Sequence, residues 1–171
     1  MVWSTYVLTD SCSRDWGAVD DTDRALLAEL QSDATQAYSA LGRAVGLSAG
    51  SAHERVRKLR ERGVIRRTTI DVDPAAVGRG VLAFVMLQSN AWMGDPPTRD
   101  ALAAIPEIQE AHIVAGSSSL LVKIRTPTTE QLQAVLRRVF DIDGVTGTET
   151  IVVLETFFER PLNVTDPDPA R

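Results

Sequence analysis

Residues 46–63, GLSAGSAHERVRKLRERG, decide how the chain reads. Gly46 sits where a helix ends in the left-handed region. Two residues later Ser48 is a good N-cap, because its hydroxyl accepts from the unpaired amides of a new first turn. Ala52, Val56 and Leu59 then recur at i, i+4 and i+7, one narrow apolar stripe. Gly63 is a natural residue to close that helix. Two helices joined by a tight Gly-Leu-Ser turn have the local form of a helix-turn-helix.

Working outward, VDDTDRALLAELQSD starts with acidic residues, which suit the positive end of a helix dipole, and continues with Leu26, Leu27 and Leu30 on one face. AYSALGRAVG gives a second helix with Leu41 and Val45 four residues apart. After Gly63, VIRRTTIDVD alternates loosely through Ile65, Thr68, Ile70 and Val72, which predicts a short hairpin or single strand. Residues 20–72 therefore read as a winged helix-turn-helix. Residues 1–19, with Trp3, Tyr6 and Trp16 among polar residues, show no period and read as a tail.

Residues 73–80 read as a linker, and the pattern then changes. VLAFVMLQSN is an apolar run of strand length, PTRDALAAIP a helix closed by Pro106, and IQEAHIVAG a second strand. LLVKIRT is a third strand. TTEQLQAVLRRVF, capped by Thr128 or Thr129, puts Leu132, Val135, Leu136 and Val139 on one face, and VTGTETIVVLETFF is a fourth strand. Residues 81–158 thus follow the ferredoxin-like βαββαβ order, an antiparallel sheet with two helices on one face. The expected class is α+β. The Pro- and Asp-rich residues 159–171 read as a loose tail.

Between His53 and Arg67 stand seven Lys or Arg against two Glu, in a chain whose net charge is −5. Without that run the remainder holds 11 basic and 21 acidic residues. Two readings fit: a solvated basic helix, or a surface that meets phosphates. The run's position on the third helix favours the second. A recognition helix needs an apolar face to seat it and a cationic remainder. Arg55, Arg57, Lys58, Arg60 and Arg62 supply the cations, and Arg66 and Arg67 fall where a wing or its base reaches the backbone. The small residues Ser48, Ala49, Gly50 and Ser51, with His53, let that end approach base edges. The expected partner is double-stranded DNA. Arg55, Arg57, Lys58, Arg66 and Arg67 mainly anchor phosphates in this reading, while Ser51, His53 and Arg57 face bases.

Other classes find less support. The chain has two histidines, His53 and His112, and one cysteine, Cys12, in the N-terminal tail. That is too few for a multi-cysteine zinc site or a disulfide. No nucleophile-elbow, P-loop or metalloprotease string occurs, so an enzyme is not expected. No stretch approaches the roughly 20 apolar residues that span a bilayer. The N-terminus lacks the basic region of a secretory signal, so the expectation is a cytoplasmic protein.

The segments DDTDRALLAELQSD, LGRAVGLSAGSAHERVRKLRERGVIRRTTIDVDPAAVG and GTETIVVLE together resemble the Lrp/AsnC (feast/famine) transcriptional regulators. The resemblance implies a homo-oligomer, a dimer or a ring up to an octamer, with an amino acid bound between effector domains. Many members carry a Gly-Asp-x-Asp-Tyr-like loop between the second and third strands. Here it is Gly116, Ser117, Ser118, Ser119 and Leu120, closer to the AsnC branch, as is the GTET of Gly147–Thr150. By position the resemblance assigns the effector to His112, to that loop, and to Thr148, Glu149 and Thr150. With no loop carboxylate, hydroxyls and backbone amides remain, suited to a carboxylate or a side-chain amide. Glu149 is either a partner for an ammonium group or an exposed strand glutamate, and His112 either a ligand contact or an ordinary strand histidine. No cofactor is expected beyond that possible amino-acid effector. Two other functions stay open: a small-molecule-binding module without DNA binding, and an architectural DNA-binding protein without amino-acid response.

Overall fold

Asp20 opens the first helix of the structure, a computed structural model that describes residues 19–165. Its carboxylate accepts from the Asp23 amide at 2.7 Å and caps α1, Asp21–Ser32. α2, Tyr38–Ala44, ends at Val45 and turns at Gly46, whose φ of 73° suits a residue without Cβ. α3, Ala49–Glu61, starts on Ser48, whose hydroxyl accepts from the Ser51 amide, and ends with Gly63 at φ 74°. Leu26, Leu41, Ala52 and Val56 form the core of this unit, with Leu30, Tyr38, Val45, Leu47 and Ile65 packed around them.

The second unit is a four-stranded antiparallel sheet in the order β2-β3-β1-β4, with strands β1 Val81–Ser89, β2 Ile108–Ile113, β3 Leu120–Thr126 and β4 Val145–Val152. Alternation decides its faces. Ala83, Val85 and Leu87 sit opposite Ile124, Val122 and Leu120. All six are buried in one core with Leu102 of α4, Pro96–Ala103, and with Leu132, Val135 and Val139 of α5, Thr129–Phe140. Thr128 is the cap of α5, accepting from the Gln131 amide.

Four expectations need correction. Residues 64–73 form no strand: that alternating run has no ladder partner among the described residues, and Ile70 is left 80% exposed. The helix-turn-helix therefore carries an extended segment in place of a β wing. β4 stops at Val152 rather than running on to Phe158, because its partner β1 starts two residues from the last pair, Ala83↔Val152. The chain also divides differently. Among the described residues, one compact unit comprises those from Val19 to Ile70 together with those from Arg160 to Thr165, and the other runs from Asp71 to Glu159. The presumed linker thus belongs to the sheet unit. The presumed tail splits: Glu159 pairs with Arg125 at 3.4 Å, while Arg24 and Gln31 of α1 donate to the Val164 and Leu162 carbonyls. The expected tail of residues 1–19, with Cys12, lies outside the described residues except for Val19.

Gly42 makes the turn into α3 possible. It is buried in α2, and a Cβ there would lie 2.7 Å from the Leu47 carbonyl oxygen and 3.0 Å from that of Ser48. Gly42→Ala is expected to destabilise the helical unit by about 1–3 kcal/mol, although alanine is the better helix former. Thermal unfolding followed by circular dichroism measures this, and an unchanged or raised midpoint would refute the tight approach.

Candidate nucleic-acid interface and effector face

The basic run divides once its side chains are placed. Arg55 turns toward α1, where its Nη1 meets Asp20 Oδ2 at 2.7 Å and Asp23 Oδ1 at 2.8 Å. Asp23 is buried, and Arg62 approaches its other oxygen at 4.0 Å. The Asp23 amide first, and the Arg55 guanidinium second, hold the Asp20 carboxyl below its ordinary range. Arg55, expected on phosphates, is therefore a structural tie between α1 and α3. The buried carboxylate of Asp23 and that of Asp20 engage its guanidinium.

Arg57 lies on the outer face between Glu54, with Nη2 to Oε1 at 2.6 Å, and Glu61, whose Oε1 accepts from Nη1. Lys58 stands 3.6 Å from Glu54 with its side chain 60% exposed. These neighbours, Arg57 foremost, pull the Glu54 carboxyl down to about 2. Ser48, Ala49, Gly50, Ser51 and His53 are exposed at the start of α3. The His53 ring meets Tyr38 edge-on at 4.8 Å, and Arg60 donates to the Tyr38 hydroxyl at 3.3 Å. Arg66 and Arg67 are exposed and have no ion-pair partner among the described residues. Arg43, exposed in the last turn of α2, adds a cation that the run-based reading missed. Its signal was a lone arginine beside the helix-turn-helix turn.

The residues expected around an effector separate into three places. Leu120 is in the core, 3% exposed, because it starts the inward alternation of β3. It is not available to a ligand. Gly116, at φ 144°, Ser117, Ser118 and Ser119 form the turn before it, where the Ser119 amide donates to the Leu87 carbonyl at 2.8 Å. Leu87 pairs in turn with Thr148, so this loop and Thr148 share one end of the sheet. Thr148 and Thr150 lie in register with Leu87 and Val85 on the helix-covered side. His112 and Glu149 lie on the open face, in a row with Leu121 and Met86 between them. Three strand spacings separate them, about 14 Å. His112 engages Glu110 at 3.2 Å, and this contact first, then Lys123, lowers the Glu110 carboxyl. Among the described residues there is no metal-ligating cluster of three or more side chains and no helix long and apolar enough to cross a membrane.

Three short helices with cations on the third, followed by an open-faced βαββαβ sheet, define a helix-turn-helix protein of the DNA-binding kind joined to a ferredoxin-like sheet domain. Residues 19–60 match the AsnC-type helix-turn-helix domain and residues 82–162 the Lrp/AsnC ligand binding domain. The chain belongs to the Lrp/AsnC family and is a transcriptional regulator, not an enzyme. It is 37% identical to the HTH-type transcriptional regulator FL11 of Pyrococcus horikoshii, covering 82% of this chain and 93% of that one. It is 32% identical to the regulatory protein AsnC of Escherichia coli, over 84% of this chain and 95% of the relative. The solved E. coli AsnC structure superposes with a TM-score of 0.80 at 30% identity, covering 86% of this chain and 99% of that one. A feast or famine regulatory protein from M. tuberculosis, complexed with L-methionine, superposes at 0.76 with 31% identity, covering 86% and 99%.

Arg55→Ala is expected to lower the stability of the helical unit by about 1–3 kcal/mol, through the buried Asp23 it deserts, while the salt slope of DNA binding stays unchanged. Chemical denaturation and salt-dependent anisotropy separate the two effects; a shallower slope with full stability would return Arg55 to the DNA face. Acid should act through Glu54 as well. Its folded pKa of about 2 lies below the ordinary 4.5, so its contribution is complete above pH 4.5 and is lost as pH falls toward 2. Stability against pH should slope less steeply over that window in Glu54→Gln; parallel curves would exclude the contribution.

Proposed function

We propose that this regulator sets α3 in the major groove of double-stranded DNA as part of a homo-oligomer, and that an amino acid held by its sheet domain modulates it. The observation that carries the first half is the exposed opening of α3, together with the exposed Arg66 and Arg67 that follow its other end. In this reading Ser48, Ala49, Gly50, Ser51 and His53 meet base edges. Lys58, Arg66 and Arg67 meet phosphates, and Arg57 joins them by leaving Glu61 or Glu54. A twofold dimer puts two such helices about 34 Å apart, one helical turn, on a near-palindromic site. Such a protein works where the chromosome lies, in the cytoplasm.

Support for self-association comes from the open sheet face, where Phe84, Met86, Leu121 and Ile151 stand in neighbouring rows. A second copy of that face is the simplest cover, and dimers that assemble further give the octamer. Support for an amino-acid effector comes from the ligand-binding domain match and from the methionine complex of the M. tuberculosis relative. Gly116, Ser117, Ser118 and Ser119 with Thr148 and Thr150 offer hydroxyls and amides to its polar groups, and Glu149 or His112 completes the site from the open face.

Fluorescence anisotropy on the DNA upstream of the protein's own gene, at several salt concentrations, tests this. Binding should weaken with a slope near −0.9 per phosphate contacted. Lys58→Ala should reduce that slope by about one contact on any sequence. Glu61→Gln, which unburdens Arg57, should tighten binding on all sequences. Adding the twenty amino acids singly should change the affinity or the stoichiometry for at least one of them. Absence of sequence-preferring binding at low salt would sink the DNA reading, and indifference to every amino acid would sink the effector.

A further inference from the structure

At the end of the sheet away from the serine loop lies a cavity of about 240 Å³, lined by Val72, Pro74, Val77, Arg79, Pro106, Glu107, Gln109 and Arg125. Every one of these residues belongs to the sheet unit. One wall is the turn over residues 74–78, closed by the Arg79 amide on the Pro74 carbonyl at 2.6 Å and by the Ala75 amide on Asp73 Oδ1 at 2.8 Å. Facing it, the ladder between β2 and β3 shifts register between Ile108 and Glu110, so Gln109 stands outside the regular pairing. A bulge of this kind re-aims a side chain.

The charges around this cavity do not balance. Glu107 is engaged by Arg138 at 3.2 Å. Arg125, its side chain only 12% exposed, reaches a single oxygen of Glu159 at 3.4 Å. Lys123 approaches the same oxygen at 3.7 Å. Arg79 has no ion-pair partner among the described residues. A guanidinium with poor access to water favours an anion that takes two of its parallel N–H groups, and carboxylate has that shape. Two valines and two prolines on the walls call for a hydrocarbon body behind the anionic head. They also disfavour a bare phosphate, and the lining has no aromatic ring on which a base could stack.

We infer that this cavity binds a small carboxylic acid with a branched hydrocarbon body, its carboxylate between Arg79 and Arg125 and its body against Val72, Val77 and Pro106. Plain carboxylic acids and α-amino acids share that chemistry. Glu107 at the rim favours the amino acid if its second oxygen takes an ammonium group. Occupancy pins the 74–78 turn to the corner where β2 begins.

The test is methyl NMR on the full-length protein with labelled valines, titrated with 4-methylpentanoate, with its 2-amino derivative L-leucine, and with isopentylamine. The Val72 and Val77 methyl signals should move with saturation for both carboxylates at millimolar concentrations and stay in place for the amine. A tighter curve for L-leucine identifies the source as an amino acid, and a tighter curve for 4-methylpentanoate as a plain acid. Arg79→Gln, an exposed change, should weaken carboxylate binding by about tenfold or more, and Arg99→Gln, at an exposed arginine of α4 outside the cavity, should leave it alone. The inference fails if those two methyls do not respond, if the amine matches the acids, or if Arg79→Gln binds as the parent does. Methyl shifts confined to the serine-loop end of the sheet would overturn this site while leaving the effector reading intact.

Discussion

Asp23 governs the electrostatics of the helical unit. A carboxylate that is 5% exposed on the first turn of α1 has lost most of its hydration and needs cations close by. Arg55 and Arg62 answer that need from α3. The geometry follows: α3 is held against α1 by charge as well as by Val56 and Ala52, and its rotation about its own axis is set. The same demand sorts the cations. Arg55, and Arg62 more loosely, are drawn inward; Arg57 is balanced by two glutamates on the outer face; Lys58, Arg66 and Arg67 remain for an outside partner. A run that reads as a broad positive patch becomes a narrow one.

The two units were legible to different depths, for physical reasons. Helical periodicity carries the seating of α3, because Ala52, Val56 and Leu59 are fully buried where their spacing puts them. Ser48 and Gly63 carry their caps in their own chemistry, and the sheet order follows from strand and helix lengths. The role of Arg55 was not legible, since its partners lie 35 and 32 residues upstream and local spacing reports only neighbours on the same helix. Residues 64–73 failed for a related reason: alternation describes a strand's faces but supplies no partner. Gly42 could have been found, because a glycine inside a helix costs stability and marks a close backbone approach. Leu120 also could have been moved inward, since the period of two through LLVKIRT starts on it.

The sheet unit shows how one alternation serves two chemistries. Inward residues of β1 and β3 are apolar up to Thr126, whose buried hydroxyl donates to the Thr128 carbonyl, and the apolar ones bury against α4 and α5. Outward residues mix Phe84, Met86 and Leu121 with Lys123 and Arg125, whose charges meet Glu110 and Glu159. An outer face of apolar rows fenced by ion pairs has a fixed register with whatever covers it, because an offset of one strand would set a charge against a methyl group. Such a face selects its partner's alignment as well as its hydrophobicity.

The segment from Arg160 to Thr165 gives the chain an unusual connectivity. By donating to the carbonyls of Leu162 and Val164, Gln31 and Arg24 return the segment that follows the sheet unit to α1. Topologically the sheet unit is an insertion within the helical one, entered at Asp71 and left at Glu159. Closing a loop of that length costs only a little more entropy than closing a short one. A ribosome, however, releases the closing segment only after the sheet unit. The helical unit therefore reaches its complete form only after the whole sheet has been synthesised, and a chain that stops short of residue 160 carries a helix-turn-helix without its clasp.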